Sequence, residues 1–269
     1  MGAEDPFLET IKILDFLQKG AIKEMDPAAM NDHGINFEDL IAERRKGIPL
    51  EYVMGKAYFM GHPFFVNNET LIPTPETRLL VETVEKIVEE RESDGEDIRI
   101  IDMGTGCGNI AVSIGLCTEN TRIYASDISE GAVRIAGMNV EMHGLTERIE
   151  VSCGDRFEPF EKGDLKGNID IIVCNPPYLP TESIDRMDPE IRDHEPHLAL
   201  DAGPFGVDFF VHLLEGSLKY LKPKGVLLFE FGERQENIVK RLIRKSGGYG
   251  EVRFHEWDSV PRMVSLVKE

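Results

Sequence analysis

The sequence predicts an α/β protein: seven strands in one mostly parallel sheet with helices on both faces, preceded by a small helical unit and a β-hairpin. Three observations predict it. From Ile98 onward, short apolar runs alternate with stretches of helical periodicity, the pattern of successive β-α-β units. Just upstream, two aromatic-rich runs flank a glycine-containing turn. Further upstream, apolar residues recur at helical spacing. A chain of 269 residues has room for a large domain plus a small one and can bury a proper core.

The elements follow in order. Phe7, Leu8, Ile11, Leu14 and Leu17 share one face of a helix expected over Phe7–Gly20. Residues Met25–Gly34 read as loop. A second helix is expected over Phe37–Lys46, ended by Gly47-Ile48-Pro49. Lys56–Met60 and Pro63–Val66 form the two arms of a hairpin around Gly61-His62. In Leu71-Ile72-Pro73-Thr74-Pro75-Glu76 the two prolines enforce an extended segment. A helix begins near Glu76, with Leu79, Leu80, Val84, Ile87 and Val88 on one face. Ser93-Asp94-Gly95-Glu96-Asp97 is a polar linker and reads as a hinge.

Beyond it, strands are expected at Ile98–Asp102, Arg122–Asp127, Ile149–Cys153, Ile169–Cys174, Gly225–Phe231, Glu251–Trp257 and Met263–Val267. Helices are expected at Asn109–Leu116, Glu130–His143, Phe205–Leu221 and Glu233–Lys245. The domain division is therefore 1–55, helical; 56–75, hairpin and proline-rich linker; and 76–269, the α/β domain. Ligands of such sheets bind at the C-terminal strand edge, near the switch point.

Composition narrows the function classes. The net charge of −19 repels a phosphate backbone unless a local basic patch offsets it. The one tight basic cluster, Arg44-Arg45-Lys46, is short and reads as a solvated helix end. This argues against nucleic acid as the main partner. No apolar run approaches a membrane span and no secretory signal is read, so the expected setting is the cytoplasm. Residues 1–6 carry no functional weight. Cys107, Cys117, Cys153 and Cys174 lack a C-x-x-C pairing and read as buried free thiols of a reducing compartment. His194 and His197 lack further nearby ligands, so no metal is expected.

Two motifs carry chemistry. The first strand runs into Asp102-Met103-Gly104-Thr105-Gly106-Cys107-Gly108, whose glycines allow a sharp turn and close ligand approach. Asp127 ends the next strand, roughly twenty residues on, where a carboxylate can accept from both hydroxyls of a ribose. Asp155 follows the third strand, where an adenine amino group can be met. A nicotinamide dinucleotide is the competing ligand. The spacing G-x-G-x-G rather than G-x-G-x-x-G speaks against it. So does Asp102, which would set a carboxylate near the cofactor's charged end; that suits a sulfonium and an ammonium and suits pyrophosphate badly. S-adenosylmethionine fits better.

The second motif is Asn175-Pro176-Pro177-Tyr178, directly after the fourth strand. Two prolines remove two backbone donors and stiffen the turn. What remains is a rigid pair of acceptors, the Asn175 side-chain oxygen and the Pro176 carbonyl, with the Tyr178 ring to cover a planar group. Such an array suits an amide or aryl amine nitrogen, whose delocalised lone pair makes it a weak nucleophile. Two fixed acceptors hold the NH₂ so that the lone pair faces a methyl donor, which is catalysis by orientation and preorganisation.

These residues resemble the class I, Rossmann-like methyltransferases with an N-P-P-Y motif, and more narrowly the HemK-like release-factor glutamine methyltransferases. The resemblance runs from about Arg45 to the C-terminus. It rests on Gly47-Ile48-Pro49-Leu50-Glu51-Tyr52-Val53-Met54-Gly55, Leu71–Thr77, Gly104–Gly108, Asn175–Tyr178 and Glu195-Pro196-His197-Leu198-Ala199-Leu200. It implies a helical N-terminal substrate-recognition domain and methyl transfer to a glutamine amide in the Gly-Gly-Gln loop of peptide-chain release factors. It implies that Asp102, Gly104, Thr105, Gly106, Cys107, Gly108, Asp127, Ile128, Asp155, Arg156 and Asn175 bind S-adenosylmethionine. Asn175, Pro176, Pro177, Tyr178 and Pro75 would line the glutamine pocket, with Asn175, Pro176 and Tyr178 catalytic.

Two departures concern the protein substrate. The family usually shows I-P-R-P-E-T-E; here Thr74 replaces the Arg and Arg78 the final Glu, so a basic side chain is missing or comes from the next helical turn. The N-terminal unit is also short. The residues leave open an N6-adenine or other exocyclic-amine methyltransferase that flips a base. They also leave open a ribosomal-protein glutamine methyltransferase and a non-enzymatic adenosine-ligand module.

Overall fold

The computed structural model describes residues 37–91, 97–161 and 163–269. The helix expected over Phe7–Gly20, the loop over Met25–Gly34 and nearly all of the Ser93–Asp97 linker lie outside the described residues.

Helix α1 spans Phe37–Arg44. It stops short of Lys46 because Lys46 and Gly47 form tighter three-residue turns back to Glu43 and Arg44. Gly47-Ile48-Pro49 ends it as expected, but Pro49 also opens an unexpected helix, α2 (Leu50–Met54). A proline at a helix start forfeits no intrahelical bond, so one residue serves both purposes. Arg44 is not a solvated helix end: its guanidinium donates to the Ile48 carbonyl (3.2 Å) and to Glu190 (2.9 Å).

The hairpin is present as β1 (Lys56–Phe59) and β2 (His62–Phe65), antiparallel around Met60-Gly61. A 3₁₀ turn at Pro75–Thr77 then leads into α3 (Arg78–Arg91). The α/β part follows the expected order: β3 (Ile98–Met103), α4 (Asn109–Cys117), β4 (Thr121–Asp127), α5 (Glu130–Met142), β5 (Ile149–Cys153) and β6 (Ile169–Cys174). Three short helices come next: α6 (Thr181–Ile184), α7 (Pro189–His194) and α8 (His197–Leu200). Helix α9 (Asp208–Tyr220), β7 (Leu221–Glu230), α10 (Glu236–Ser246), β8 (Tyr249–Trp257) and β9 (Val260–Lys268) complete the chain.

The seven strands form one sheet in the order β5-β4-β3-β6-β7-β9-β8. Strands β3 to β7 pair in parallel, and β9 joins antiparallel to both β7 and β8. From β3 the chain moves outward through β4 and β5, then returns to the other side of β3 as β6. The switch point thus lies between β3 and β6, where a crevice opens at the carboxyl ends of the strands.

The central strands read as continuous apolar runs because both faces are covered. Ile100, Ile171 and Leu228 face one layer with Leu80, Val84 and Val88 of α3 and Ile110 and Ile114 of α4. Their neighbours Ile101, Ile172 and Phe229 face the other, with Phe210, Leu213 and Leu214 of α9 and Val239 and Ile243 of α10. Among the described residues no helix is long and apolar enough to cross a membrane.

Three expectations need correction. Asp185, Asp188, Glu190, Asp193 and Glu195 read in the sequence as a solvated, mobile loop after the proline motif, but the segment folds into α7 and packs back on the rest of the chain. Asp188 caps α7 through the Glu190 N–H, Glu190 pairs with Arg44, and Glu195 accepts from the Ile72 N–H. Only Cys107 and Cys174 are buried thiols; Cys117 and Cys153 are exposed, at a helix end and a strand end. Helix α9 begins at Asp208 rather than Phe205, and β7 begins at Leu221, where it pairs with Ile169 across an irregularity in the ladder.

One buried side chain ties the hairpin to the α/β part. Asn139 of α5 is fully buried. Its Oδ1 accepts from the Phe65 N–H (2.7 Å), and its Nδ2 donates to the carbonyls of Phe65 (3.0 Å) and Cys107 (2.7 Å). Phe65 stands in the two-stranded hairpin sheet, which has no third strand to pair its outer edge, and Cys107 lies in the turn between β3 and α4. Replacing Asn139 with Leu, similar in size, leaves the three backbone groups unpaired in the interior. The expected cost is about 2–4 kcal/mol of unfolding free energy, read as a lowered midpoint in urea unfolding with an unchanged slope.

Candidate active site

A cleft of about 500 Å³ opens at the switch point, within the range of small-molecule sites. Its floor is the turn after β3. Asp102, next to last in β3, is fully buried. Its Oδ2 accepts from the Thr105 hydroxyl (2.6 Å) and the Ala111 N–H (3.1 Å), so the carboxylate draws both the turn and the first turn of α4 toward the strand. The Thr105 N–H reaches across to the Ser126 carbonyl of β4 (2.9 Å). Gly106 has φ +54° and donates its N–H to Asp127 Oδ2 (2.9 Å). Gly108, at φ +82°, opens α4; a Cβ there would meet the Ala136 backbone at 3.3 Å, so only glycine lets α4 and α5 approach.

Asp127 ends β4 in the cleft wall. Its Oδ1 accepts from the Ser129 N–H (2.9 Å). Burial raises its pKa, opposed by these backbone hydrogen bonds. Burial also pushes Asp102 up to about 7, against the hydrogen bonds from Thr105 and Ala111, with Asp127 adding to the rise. Two neighbouring carboxylates thus sit at the base of the cleft with no cation beside them among the described residues. Asp102 Oδ1 has no hydrogen-bond partner among the described residues. That charge environment suits a cationic ligand and opposes a pyrophosphate.

The opposite wall is the motif after β6. Asn175 and Pro177 line the cleft, Pro176 is buried, and Tyr178 is absent from the wall. Asn175 Nδ2 donates to Thr77 Oγ1 (3.1 Å), and among the described residues no hydrogen bond engages its Oδ1. The Tyr178 hydroxyl turns into a buried network beneath the motif. It donates to Glu230 (3.5 Å) and accepts from Arg262 (3.3 Å). Its ring packs where a Cβ on Gly232 would lie 3.1 Å from it, and Gln235 holds its carbonyl (2.7 Å). The ring packs behind the motif, outside the cleft wall.

The rim is built from the proline-rich segment and the run before α8. Leu71, Pro73, Thr74 and Thr77 line the cleft, whereas Pro75 opens the 3₁₀ turn and does not. Pro196, His197 and Leu198 face them from the other side. Glu195 joins the two through the Ile72 N–H (3.3 Å). Its pKa is raised to about 7, by burial first, with that backbone bond opposing and Glu51 and Glu190 adding to the rise. Asp155, Arg156 and Ile128 close the cleft beyond Asp127.

Of the residues singled out from sequence, Gly104, Thr105, Gly106, Cys107, Asp127, Ile128, Asp155, Arg156, Asn175 and Pro177 meet in this one wall. Asp102, Gly108, Pro176, Tyr178 and Pro75 lie behind it. Thr77, Glu230 and Arg262 were not singled out. Arg78 does not replace the missing family arginine: it pairs with Glu82 (2.7 Å) and lies over the Trp257 ring (5.7 Å), outside the cleft wall. The cation nearest the motif is Arg262 of β9, paired with Glu76 (2.8 Å) and Glu230 (3.6 Å).

Comparison with known proteins agrees with this geometry. Residues 74–187 match the family model described as the methyltransferase small domain. The release factor glutamine methyltransferase of Bacillus cereus is 33% identical over 241 residues, 89% of this chain and 83% of that protein. That of Moorella thermoacetica is 38% identical over 228 residues, 84% of this chain and 76% of its own length. Among solved structures, the N-terminal domain of human METTL16 in complex with SAH aligns with 99% of this chain and 98% of that one. The TM-score is 0.58 at 20% identity, a likeness of fold. The fold is that of the Rossmann-like methyltransferases, and the chain belongs to the release factor glutamine methyltransferase family.

Proposed function

We infer that this chain transfers the methyl group of S-adenosylmethionine to the side-chain amide nitrogen of a glutamine in a peptide-chain release factor, at the Gly-Gly-Gln loop. The observation that carries the reading is Asn175. It stands at the switch point, its amide nitrogen is tied to Thr77, and its oxygen is left for a ligand in the cleft.

Bound S-adenosylmethionine supplies an electrophilic methyl on a sulfonium. The cleft fits such a group by its donor set. Asp127 retains lone pairs for a ribose diol, and the unpartnered Asp102 Oδ1 adds negative potential beneath the turn. The chain's own residues do the remaining work. The glutamine nitrogen is a weak nucleophile because its lone pair is spread into the carbonyl. Asn175 Oδ1 and the Pro176 carbonyl accept its two N–H bonds and turn the lone pair toward the donor. Pro176 and Pro177 have no N–H to compete for those acceptors. As the new N–C bond forms and the S–C bond breaks, positive charge grows on nitrogen, and both acceptors strengthen their hold. The spare proton then leaves to water, so no strong base is required.

The remaining roles follow from position. Gly104, Thr105, Gly106, Cys107, Ile128, Asp155 and Arg156 are proposed to surround the cofactor, and Pro177 the glutamine. Gly108, Pro75 and Tyr178 hold the walls in place. Residues 1–55 with the hairpin are proposed to recognise the protein substrate.

Asp127→Ala should weaken S-adenosylmethionine binding by about 100- to 10,000-fold in calorimetry, the worth of two hydrogen bonds to a charged acceptor. Unchanged affinity would remove Asp127 from the site. With radiolabelled cofactor, a release factor should take up label and its Gln→Ala variant in the Gly-Gly-Gln loop should take up none. Label that survives the substitution contradicts the glutamine assignment.

A further inference from the structure

Beneath Asn175-Pro176-Pro177-Tyr178 lies a carboxylate that touches Tyr178 directly and reaches Asn175 through Thr77. Glu230 is the last residue of β7 and only 2% exposed. Its Oε2 accepts from the Thr77 hydroxyl (2.8 Å). Thr77 Oγ1 in turn accepts from Asn175 Nδ2 (3.1 Å) and lies 3.1 Å from Thr74 Oγ1. Glu230 Oε1 accepts from the Tyr178 hydroxyl (3.5 Å) and lies 3.6 Å from Arg262.

The polarity of this chain is forced. A hydroxyl has one proton and two lone pairs. An ionised carboxylate only accepts, so the single proton of Thr77 is committed to Glu230. The lone pairs left to Thr77 can only accept, one from Thr74 and one from Asn175. Asn175 must therefore turn its NH₂ inward and its oxygen outward. The two ends of an amide are nearly identical in shape, so packing alone does not choose between them. The proton count does.

We propose that Glu230, acting through Thr77, is the positioning residue that sets which end of the Asn175 amide faces the substrate, and that it braces Tyr178 with its second oxygen. The inference rests on the methyl-transfer reading of the cleft and deepens it. Methylation needs an acceptor at this position. With the amide reversed, an NH₂ would meet the substrate NH₂, donor against donor, and the glutamine nitrogen would not be oriented.

A protonated Glu230 would release this control, because its own O–H can donate to Thr77 and free the Thr77 proton for Asn175. The groups facing Glu230 are Thr77 and Glu76 from the 3₁₀ turn, Tyr178 after β6 and Arg262 from β9. Burial raises the carboxyl to about 7, the Thr77 bond and Arg262 lower it, and Glu76 raises it. With cofactor saturating, turnover should then fall as pH drops through the neighbourhood of 7.

The test compares wild type, Thr77→Val, Thr77→Ser and Glu230→Gln on a Gly-Gly-Gln substrate. Thr77→Val keeps the shape and removes the hydroxyl. Its kcat should fall about 10–100-fold, with the cofactor Kd within about 2-fold of wild type. Thr77→Ser restores the hydroxyl and should recover most of the rate. In Glu230→Gln the acid limb of the kcat profile should disappear. Three results overturn the proposal: wild-type kcat in Thr77→Val, equal loss in Thr77→Ser and Thr77→Val, or a loss that appears as weakened cofactor binding. If Thr77→Val does not fold, the profile of Glu230→Gln decides alone, and a retained acid limb overturns the proposal. A wild-type enzyme that labels no glutamine contradicts the function itself and this inference with it. Active wild type with indifferent variants contradicts the inference only.

Discussion

Four neighbouring parallel strands each close on a carboxylate or an amide. Asp102 stands next to last in β3, Asp127 ends β4, Asn175 follows β6 and Glu230 ends β7. Because the strands are parallel, all four polar groups arrive at one edge of the sheet. The rest of the site depends on that constraint. The glycine turn is tied down by Asp102 and Asp127, and the proline motif is tied down by Glu230 through Thr77 and Tyr178.

The electrostatic consequence is a site prepared for positive charge. Asp102, Asp127 and Glu230 are all held above the ordinary carboxylate range, chiefly by burial. Among the described residues, Glu230 alone of the three is in an ion pair, with Arg262, which it shares with Glu76. A sulfonium and an ammonium arriving in the cleft meet Asp127 in its wall with Asp102 behind it, carboxylates that no ion pair neutralises among the described residues. The same arrangement makes pyrophosphate a poor ligand, the distinction first suggested by the position of Asp102 before the turn.

Much of this was legible in the sequence, because strands covered on both faces announce themselves as apolar runs. All seven appear near their expected positions, and the hairpin is present with its turn at Met60-Gly61, one residue before the expected Gly61-His62. What stayed hidden needs partners distant in the chain. Helices α6 to α8 are too short to show a period, and the acidic residues around them look solvated until Arg44 and Ile72 are seen opposite. Asn139 reads as an ordinary helix residue until the hairpin backbone lies beside it. Glu230 carried the same signal as Asp127, a carboxylate ending an apolar strand. Its role becomes visible only with Thr77 and Arg262 beside it, both distant in the chain. Tyr178 was expected over the substrate; the buried carboxylate and Arg262, both far along the chain, draw its hydroxyl the other way.

The most direct measurement is a crystal structure of the protein with S-adenosylhomocysteine and a Gly-Gly-Gln peptide bound together. The account predicts the glutamine side-chain nitrogen in the cleft, within hydrogen-bond distance of Asn175 Oδ1 and the Pro176 carbonyl, with Asn175 Nδ2 still on Thr77. A glutamine amide seated elsewhere, or an Asn175 that gives up Thr77 to donate to the ligand, would contradict it.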